Sequence, residues 1–160
     1  MLILVKNMKE LPFSELMEIY IEGNEEKVAA YGEGGLLRAE GEFYDYLQKD
    51  FFKTADAFYC IWQEKGKAVS ALRLEPYRDG WLLEALETAP QWRKKGCAKA
   101  LLTAVLTHMD GKIIYSHVSK ANEASLRTHI SCGFEKFLDY ATYIDGSVSQ
   151  RAYTLCYGKK

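Results

Sequence analysis

The hydrophobic pattern of this chain changes its period in the middle, and this change limits the folds that are open to it. From Ala57 to Thr88 apolar and polar residues alternate with a period of two, which is typical of strands with one buried face. Gln63–Gly66 and Asp79-Gly80 interrupt the alternation with residues that favour tight turns. The segment therefore predicts three consecutive strands, over 57–62, 67–74 and 81–88.

Helical spacing precedes these strands. A short apolar strand is predicted at Leu2–Val5, and Pro12 and Ser14 open the first helical stretch. Its apolar residues form one stripe and are Phe13, Leu16, Met17, Tyr20 and Ile21. Glycines at 32, 34 and 35 end this helix, and a second helix is predicted over 36–52.

Strands and helices alternate after Thr88. The pattern predicts helices over 98–109 and 122–132, a strand over 112–118, and a last hairpin of strands 134–144 and 149–157. Asn122 suits the N-cap of the second of these helices, and Gly133 suits its end. The order is βααβββαβαββ. Hairpins combined with strand–helix–strand units predict an α/β (α+β) fold with a mixed sheet.

Length and composition restrict the class of protein. A chain of 160 residues fits one domain, so we take residues 1–160 as one unit. Apolar residues make up 48% and charged residues 27%, close to the globular average, and no apolar stretch approaches the length of a membrane span. Met1–Val5 is too short for a signal peptide and has no basic residue before it. We expect a cytoplasmic protein without a membrane partner.

The four cysteines favour the same compartment. Cys60, Cys97, Cys132 and Cys156 lie far apart and form neither a CxxC pair nor a spacing typical of zinc ligands. We expect buried, reduced thiols and no metal. A disulfide between distant cysteines is the alternative.

The charges are unevenly distributed along the chain. The net charge of −1 argues against a dedicated nucleic-acid-binding protein. Residues 1–56 contain twelve acids and six bases, whereas residues 57–160 contain ten acids and fifteen bases. This asymmetry predicts two ligand-binding surfaces of opposite sign. The alternative is that these charges only solvate helix faces.

The segment from Leu86 to Lys99 carries the clearest chemical signal. A strand ends at Pro90, a short basic loop with one glycine follows, and an apolar helix then begins. The first N–H groups of that helix lack helical partners, and the helix dipole makes this end partly positive. Four bases surround it without an intervening acid, namely Arg93, Lys94, Lys95 and Lys99. The segment predicts a phosphate or pyrophosphate site, with an ordinary basic helix start as the alternative.

Two motifs resemble one protein family. Arg93-x-x-Gly96-x-Ala98, placed after a strand, is similar to the acyl-CoA loop of the GNAT N-acetyltransferases. Asn122-x-x-Ser125-x-x-x-His129-x-x-x-Gly133-Phe134 is similar to that family's second motif. The resemblance also extends to the element order and covers nearly the whole chain. It implies a mostly antiparallel central sheet flanked by helices, and acetyl-CoA as co-substrate.

The resemblance also implies which residues contact CoA. Backbone groups of Leu86, Glu87 and Thr88 would pair with the pantetheine arm as an added strand would. Asn122 would hydrogen-bond the pantetheine region, and Ser125 would lie nearby. The pyrophosphate would be held by backbone N–H groups of the loop, from Arg93, Lys94, Lys95, Gly96, Cys97 and Ala98. The thioester would lie between the diverging strands 81–88 and 112–118.

Two residues are candidates for the base that deprotonates the amine. Glu84 lies on the strand beside the expected thioester, and period two would put it on one face with Leu86 and Thr88, with Glu87 on the other. His117 lies five residues before Asn122, and an imidazole with a pKa of about 6.5 suits a base. The alternative for Glu84 is an exposed carboxylate on the strand. The alternative for His117 is an ordinary histidine in the core or on the surface. Water is the third candidate.

His129 departs from the family pattern. Family members commonly have a tyrosine there that protonates the departing thiolate, whereas histidine donates best as imidazolium or from one N–H tautomer. We take His129 as the candidate proton donor, with helix packing as the alternative.

The sequence thus predicts an acetyl-CoA-dependent N-acetyltransferase that acts on a primary amine by direct attack in a ternary complex. The acidic first third would attract a small cationic amine. The alternatives are a protein amine as acceptor, a non-catalytic acyl-CoA-binding module, and an unrelated domain that binds ATP or NADP at the basic loop. The last hairpin offers an edge strand for a homodimer.

Overall fold

The computed structural model describes residues 1–160 and confirms the predicted fold class, a mixed and mostly antiparallel sheet flanked by helices. The strands are β1 Leu2–Val5, β2 Phe58–Glu64, β3 Lys67–Tyr77, β4 Gly80–Thr88, β5 Ile114–Ser119, β6 Glu135–Leu138, β7 Ala141–Thr142, β8 Val148–Ser149 and β9 Ala152–Tyr157. The helices are α1 Phe13–Ile19, α2 Ile21–Tyr31, α3 Gly35–Lys49, α4 Cys97–His108 and α5 Glu123–Ser131. None of them has both the length and the apolar character needed to cross a bilayer.

Seven strands form the main sheet in the order β1-β2-β3-β4-β5-β9-β6. Every neighbouring pair is antiparallel except β4 and β5, which run parallel. This parallel pair is short, since Trp81–Leu83 pair with Ile114–Ser116 and the two strands have no further pairing beyond that point. The carboxyl-terminal halves of β4 and β5 therefore leave a gap in the middle of the sheet.

Both faces of the sheet are covered by apolar residues. On one face, Leu101 and Val105 of α4 pack with Leu72 and Leu83 of the sheet. On the other face, Leu16 of α1 and Leu47 of α3 pack against Tyr59 and Ile61 of β2. The gap between β4 and β5 thus lies between two well-packed layers, which hold its walls in place.

The first predicted helix is in fact two helices. α1 ends at Ile19 and α2 begins at Ile21, because Tyr20 leaves the helical conformation with φ −94° and ψ 13°. The apolar stripe continues across this junction, so its spacing did not reveal the break. The second predicted helix ends at Lys49 instead of 52, and a short 3-10 turn, Phe51–Lys53, follows it.

The last hairpin is also interrupted. β6 pairs with β9 at the sheet edge, whereas β7 and β8 form a separate two-stranded sheet. The Thr154 hydroxyl donates to the Tyr140 carbonyl at 2.7 Å, and the Tyr77 hydroxyl donates to the Thr142 carbonyl. The predicted strand 134–144 is thus divided into β6 and β7, and the predicted strand 149–157 into β8 and β9.

A β-bulge in β4 corrects the predicted orientation of its side chains. Glu84 pairs with Arg73 and Glu87 pairs with Ala71, so three residues of β4 span the length of two residues of β3. The extra residue is accommodated at Ala85, whose φ is +53°. As a result Glu84 and Glu87 share one face, and Thr88, opposite Ser70, lies on the other. The prediction that Glu84 and Thr88 share a face is therefore wrong.

Candidate active site

A cavity of about 140 Å³ occupies the gap between β4 and β5. Its walls come from the ends of both strands and from the first turns of α5. It is lined by Leu83, Ala85, Leu86, Ser116, His117, Val118, Ser119, Asn122, Ser125 and His129. The fold therefore brings together five of the residues predicted from sequence, namely Leu86, Asn122, Ser125, His117 and His129.

The basic loop lies directly before α4. Its residues Arg93–Gly96 are exposed, and both Lys94 and Gly96 have positive φ, at 59° and 80°. Backbone in such a left-handed conformation next to a helix start makes a concavity of N–H groups that suits an anion. The side chain of Cys97 is buried, so only its backbone N–H can serve a ligand here. The pyrophosphate site at this loop stays a prediction, for which the loop offers exposed backbone N–H groups and basic side chains.

Arg93 makes contacts that the sequence did not indicate. Its guanidinium donates twice to the Glu22 carboxylate of α2, at 2.8 Å each, and lies 3.8 Å from Glu87. It also donates to the carbonyl of Thr88 at 3.3 Å. The Lys95 ammonium lies 5.0 Å from the centre of the Trp92 ring. The side chain of Arg93 thus joins α2 to the loop, whereas the lysines carry the charge of the loop surface.

Glu84 forms part of a buried polar cluster. One of its carboxylate oxygens lies 3.3 Å from Nε of Arg73, and both side chains are mostly buried. Glu75, with only 7% of its surface exposed, is a second carboxyl group in this cluster. Burial raises the pKa of Glu75 to about 7, and the nearby Glu84 carboxylate adds to the rise. Near neutral pH Glu75 therefore still carries its proton in a part of the molecules.

His117 lies between aromatic rings on the same face as Glu84. The Tyr77 and Tyr143 rings stand edge-on to it, at 5.7 Å and 5.0 Å between centres. Its Nε2 is buried and has no hydrogen-bond partner. Burial, followed by the charge of Arg78, lowers the pKa of His117 to about 4. The imidazole is therefore neutral at pH 7, and its unpartnered nitrogen belongs to a residue that lines the cavity.

His129 is almost fully buried, at 1% exposure, and its tautomer follows from its contacts. Nδ1 donates to the Ser125 carbonyl at 2.8 Å, because a carbonyl can only accept. In the neutral ring Nε2 is then an acceptor, and the Ser116 hydroxyl donates to it at 2.9 Å. Burial also lowers the pKa of His129. This environment disfavours the imidazolium form on which the predicted donor role partly depended.

Asn122 and Ser125 begin α5. Oδ1 of Asn122 accepts the Ser125 N–H at 3.1 Å, which is the predicted N-cap. That bond leaves the Asn122 amide N–H groups available toward the cavity, which this residue lines. The Ser125 hydroxyl lies 3.3 Å from Nδ1 of His129.

Sequence comparison gives the family. The profile of the "Acetyltransferase (GNAT) family" matches residues 14–134, which is most of the chain. The chain belongs to the GNAT acetyltransferase family. The match contains β4, the basic loop, α4, β5 and α5, and therefore every element that lines the cavity.

Solved GNAT structures share the fold at low sequence identity. PaiA N-acetyltransferase from Thermoplasma acidophilum, in complex with coenzyme A, is 14% identical with a TM-score of 0.67, and 98% of each chain is covered. The ribosomal-protein-S18-alanine N-acetyltransferase from Escherichia coli is 16% identical with a TM-score of 0.60, over 98% of this chain and 92% of that one. A spermidine N-acetyltransferase SpeG chimera from Vibrio cholerae and hSSAT is 16% identical, with a TM-score of 0.58 and coverages of 97% and 93%. Among curated protein sequences none matches this chain.

The sequence did not single out Ser116, which lines the cavity, or Arg73 and Glu75, which lie beside Glu84. Ser116, Arg73 and Glu75 carried no signal of their own, since each is an ordinary member of an alternating strand. Their importance comes from neighbours distant in sequence, such as His129 for Ser116 and Glu84 for Arg73. The alternation alone could have placed Arg73 and Glu75 on one face of β3, but it could not show that Arg73 lies opposite Glu84.

Several of the acidic side chains of residues 1–56 hold the fold together. Glu15 accepts the Ala68 N–H at 2.7 Å, Glu18 pairs with Lys67 at 2.7 Å, and Glu22 pairs with Arg93. These contacts attach α1 and α2 to β3 and to the basic loop. Fewer acids are therefore free to attract a cationic acceptor than the composition suggested.

The buried carboxyl pair predicts a pH-dependent stability. An acid whose pKa rises from 4.5 to about 7 on folding stabilises the protein below its unfolded pKa and loses that stabilisation as the pH rises through 7. Glu75→Gln removes this titration. We expect its melting temperature to exceed that of the parent protein at about pH 8 but not at about pH 5. The shifts of His117 and His129 act in both proteins and cancel in this comparison, so an identical pH dependence would contradict the assignment.

Proposed function

We propose that this GNAT-family protein transfers the acetyl group of acetyl-CoA to a primary amine by direct attack in a ternary complex. The observation that carries the proposal is the cavity between the ends of β4 and β5, next to the exposed basic start of α4. A phosphate-binding helix start and a narrow gap beside an unpaired strand edge together fit a ligand with a pyrophosphate and an extended amide-containing arm.

The residues at the gap fit each part of CoA. Backbone N–H groups from Arg93 to Ala98 and the lysines of the loop would hold the pyrophosphate. Beyond Leu83, β4 has no partner on its β5 side, so Leu86–Thr88 can pair with the amides of the pantetheine arm. The free N–H groups of Asn122 would donate to the same arm. Acetyl-CoA supplies an activated thioester, and the chain has to position it and move protons.

The attacking amine must lose a proton, because an alkylammonium with a pKa of about 10.4 is protonated at pH 7. We assign Glu84 as the base. Its partner Arg73 holds the carboxylate in place. His117 is neutral at pH 7 and is the second candidate, although its pKa of about 4 makes it a weak base. Water is the third.

The departing thiolate needs a hydrogen-bond donor. We propose that the Ser116 hydroxyl supplies it by turning its single proton from Nε2 of His129 to the sulfur, because Ser116 lines the cavity and lies at the last position of β5 that pairs with β4. Before transfer, Nε2 of His129 accepts that proton and so positions Ser116, while the ring's own proton stays on the Ser125 carbonyl. In this assignment the donor is a neutral hydroxyl beside a neutral imidazole, and no imidazolium is needed.

Substitutions of this pair should have moderate and non-additive effects. A thiol with a pKa of about 8.5 leaves readily, so we expect Ser116→Ala and His129→Phe each to slow turnover about tenfold while CoA binding is kept. The double variant should be no slower than the slower single variant, since the two residues act as one unit. His129→Tyr should recover much of the loss, because a phenol is a donor at neutral pH.

The pH profile provides a second check on this pair. Since burial lowers the pKa of His129, the parent protein should not lose rate as the pH rises through about 6.5. Equal turnover in the parent, His129→Phe and His129→Tyr proteins, measured with chemistry rate-limiting, would show that His129 only packs its helix.

A small cationic amine is the acceptor that we favour. A cavity of about 480 Å³ lies between α1, α3 and the start of the basic loop, and the Glu18 and Glu40 carboxylates line it. Its size and acidic lining suit a small amine. A protein N-terminus or lysine side chain is the alternative acceptor, and the four unpaired cysteines are compatible with a cytoplasmic location for either.

An acceptor screen tests the proposal. The protein is incubated with acetyl-CoA and single amines, small polyamines and peptides, and both free CoA thiol and the mass of the acceptor are measured. We expect thiol release that depends on one class of amine, with an equal amount of acetylated product. CoA binding without any amine-dependent release would support the non-catalytic acyl-CoA-binding alternative instead.

A further inference from the structure

A tyrosine of the helix layer reaches through to the strand that lines the cavity. Tyr20 stands at the junction of α1 and α2, and its hydroxyl donates to the carbonyl of Ala85 in β4 at 2.7 Å. The Tyr59 hydroxyl lies 3.1 Å from the Tyr20 hydroxyl. Because Tyr20 has a single hydroxyl proton, which the carbonyl accepts, Tyr59 must donate to Tyr20. The result is a directed chain of hydrogen bonds from Tyr59 through Tyr20 to Ala85.

The carbonyl that accepts the last of these hydrogen bonds belongs to Ala85, the strained residue of the β4 bulge. Ala85 has a φ of +53°, a conformation that residues other than glycine rarely adopt. The β3–β4 ladder pairs Glu84 and Glu87 but neither Ala85 nor Leu86. Such a conformation persists only when its surroundings hold it. The hydrogen bond from Tyr20 is the contact that holds the Ala85 carbonyl.

Fixing this carbonyl also fixes the next N–H group. The chain contains no cis peptide bond, so the Ala85 carbonyl and the Leu86 N–H point in opposite directions. The carbonyl points to Tyr20 in the helix layer. The Leu86 N–H is therefore directed away from that layer, to the side where Ala85 and Leu86 line the cavity.

We propose that Tyr20 is a positioning residue, which holds the Ala85–Leu86 peptide so that the Leu86 N–H donates to the carbonyl oxygen of the thioester. This inference rests on the proposed function. As the amine attacks the carbonyl carbon, the electron pair of the C=O bond moves to that oxygen, and it returns when the C–S bond breaks. A fixed donor stabilises the negative charge at this stage, and it does so without having to reorient.

The two hydrogen-bonded tyrosines also lie close to the proposed base, Glu84. The Arg73 guanidinium, which pairs with Glu84, also contacts the Tyr59 hydroxyl. The groups that face Tyr20 are thus Tyr59 from β2, Arg73 from β3 and Glu87 from β4. The ion pair of Arg73 with the proposed base therefore lies beside the two tyrosines whose hydrogen bonds end at the Ala85–Leu86 peptide.

Tyr20→Phe tests the proposal, with Tyr59→Phe as the matched control. Both substitutions remove one hydroxyl from the same buried cluster, but only the first removes the bond to Ala85. Affinities are measured for CoA and for a stable acetyl-CoA analogue in which a methylene group replaces the thioester sulfur and the carbonyl is kept. We expect Tyr20→Phe to leave the CoA affinity within about twofold, to weaken the analogue about tenfold, and to lower kcat about ten- to hundredfold. Tyr59→Phe should have clearly smaller effects on both.

The ratio of the two affinities distinguishes positioning from folding. Both ligands are measured on one preparation, so the ratio does not depend on the folded fraction. An unchanged ratio in a Tyr20→Phe protein that binds CoA would overturn this proposal alone, whereas a parent protein that binds neither ligand would overturn the proposed function with it. If Tyr20→Phe does not fold, the amide proton resonance of Leu86 in the parent decides. It should move downfield with the analogue but not with CoA, and the absence of that difference would overturn the proposal.

Discussion

We expect Gly96→Glu to abolish CoA binding and to leave the protein folded. Gly96 precedes α4 with a φ of +80°, and a Cβ placed on it would meet no other atom within 4 Å. The new side chain therefore has room, and its cost to the fold is only that of a left-handed residue, about 1–2 kcal/mol. The carboxylate would stand where the pyrophosphate is expected, among N–H groups that favour an anion. Titration calorimetry with CoA measures the loss.

Gly111→Glu is the matched control. Gly111 lies beyond the opposite end of α4, with a φ of +77°, and a Cβ added to it would likewise have no atom within 4 Å. The substitution adds the same charge and a similar backbone strain, about 18 Å away along a twelve-residue helix. We expect it to bind CoA like the parent protein. Undiminished CoA affinity in a folded Gly96→Glu protein would contradict the assignment of the loop.

Glu84→Gln should lower turnover by about 10²–10⁴-fold, the range usual for the loss of a general base. Glutamine keeps the size of the side chain but cannot take a proton from the amine. Affinity for acetyl-CoA should hardly change, because Glu84 faces the helix layer of α1 and α3 together with Arg73, away from the basic loop. Steady-state rates and acetyl-CoA binding, measured from about pH 6 to about pH 9, check both statements.

The pH profile of the parent protein identifies the group that titrates. Glu75 loses its proton at about pH 7 and then places a second negative charge beside the proposed base, so the rate should rise through that region and then level off. In Glu75→Gln this rise should be absent, since glutamine does not titrate. A Glu84→Gln protein as fast as the parent over this range would transfer the role to His117 or to water.

The strands and the basic loop could be predicted because their signals are local. Alternation from Ala57 to Thr88, the turn at Asp79-Gly80 and the proline at 90 each act within a few residues, and the structure places β2, β3 and β4 close to the predicted ranges. The fold class followed from the order of such segments. The parallel pairing of β4 with β5, and its early end, required the full sheet.

The break at Tyr20 and the bulge at Ala85 are connected failures of sequence prediction. Neither residue type marks a break, since tyrosine suits a helix stripe and alanine rarely adopts positive φ. Each conformation is stabilised by the other through the hydrogen bond that joins them across 65 residues. Contacts of this kind have no periodic signature, and one of them reversed the predicted face of Thr88.

The chemistry of the site was predicted by residue type but not by environment. Glu84, His117 and His129 were singled out as groups that can move protons, and the last two do line one cavity. Their protonation depends on burial and on partners distant in sequence, such as Ser116 for His129 and Arg73 for Glu84. Their roles as base and donor remain predictions, and the substitutions described above decide them.

A comparison of ligands by titration calorimetry tests the central claim most directly, namely that the gap between β4 and β5 and the start of α4 form one site for acetyl-CoA. The parent protein is titrated with CoA, acetyl-CoA, ATP and NADP under one set of conditions. We predict saturable binding of CoA and acetyl-CoA and much weaker binding of ATP and NADP, because only the first two have a pantetheine arm to fill the gap. Binding of ATP or NADP as tight as that of CoA would contradict the account, since the basic loop would then be acting as a phosphate site without the gap.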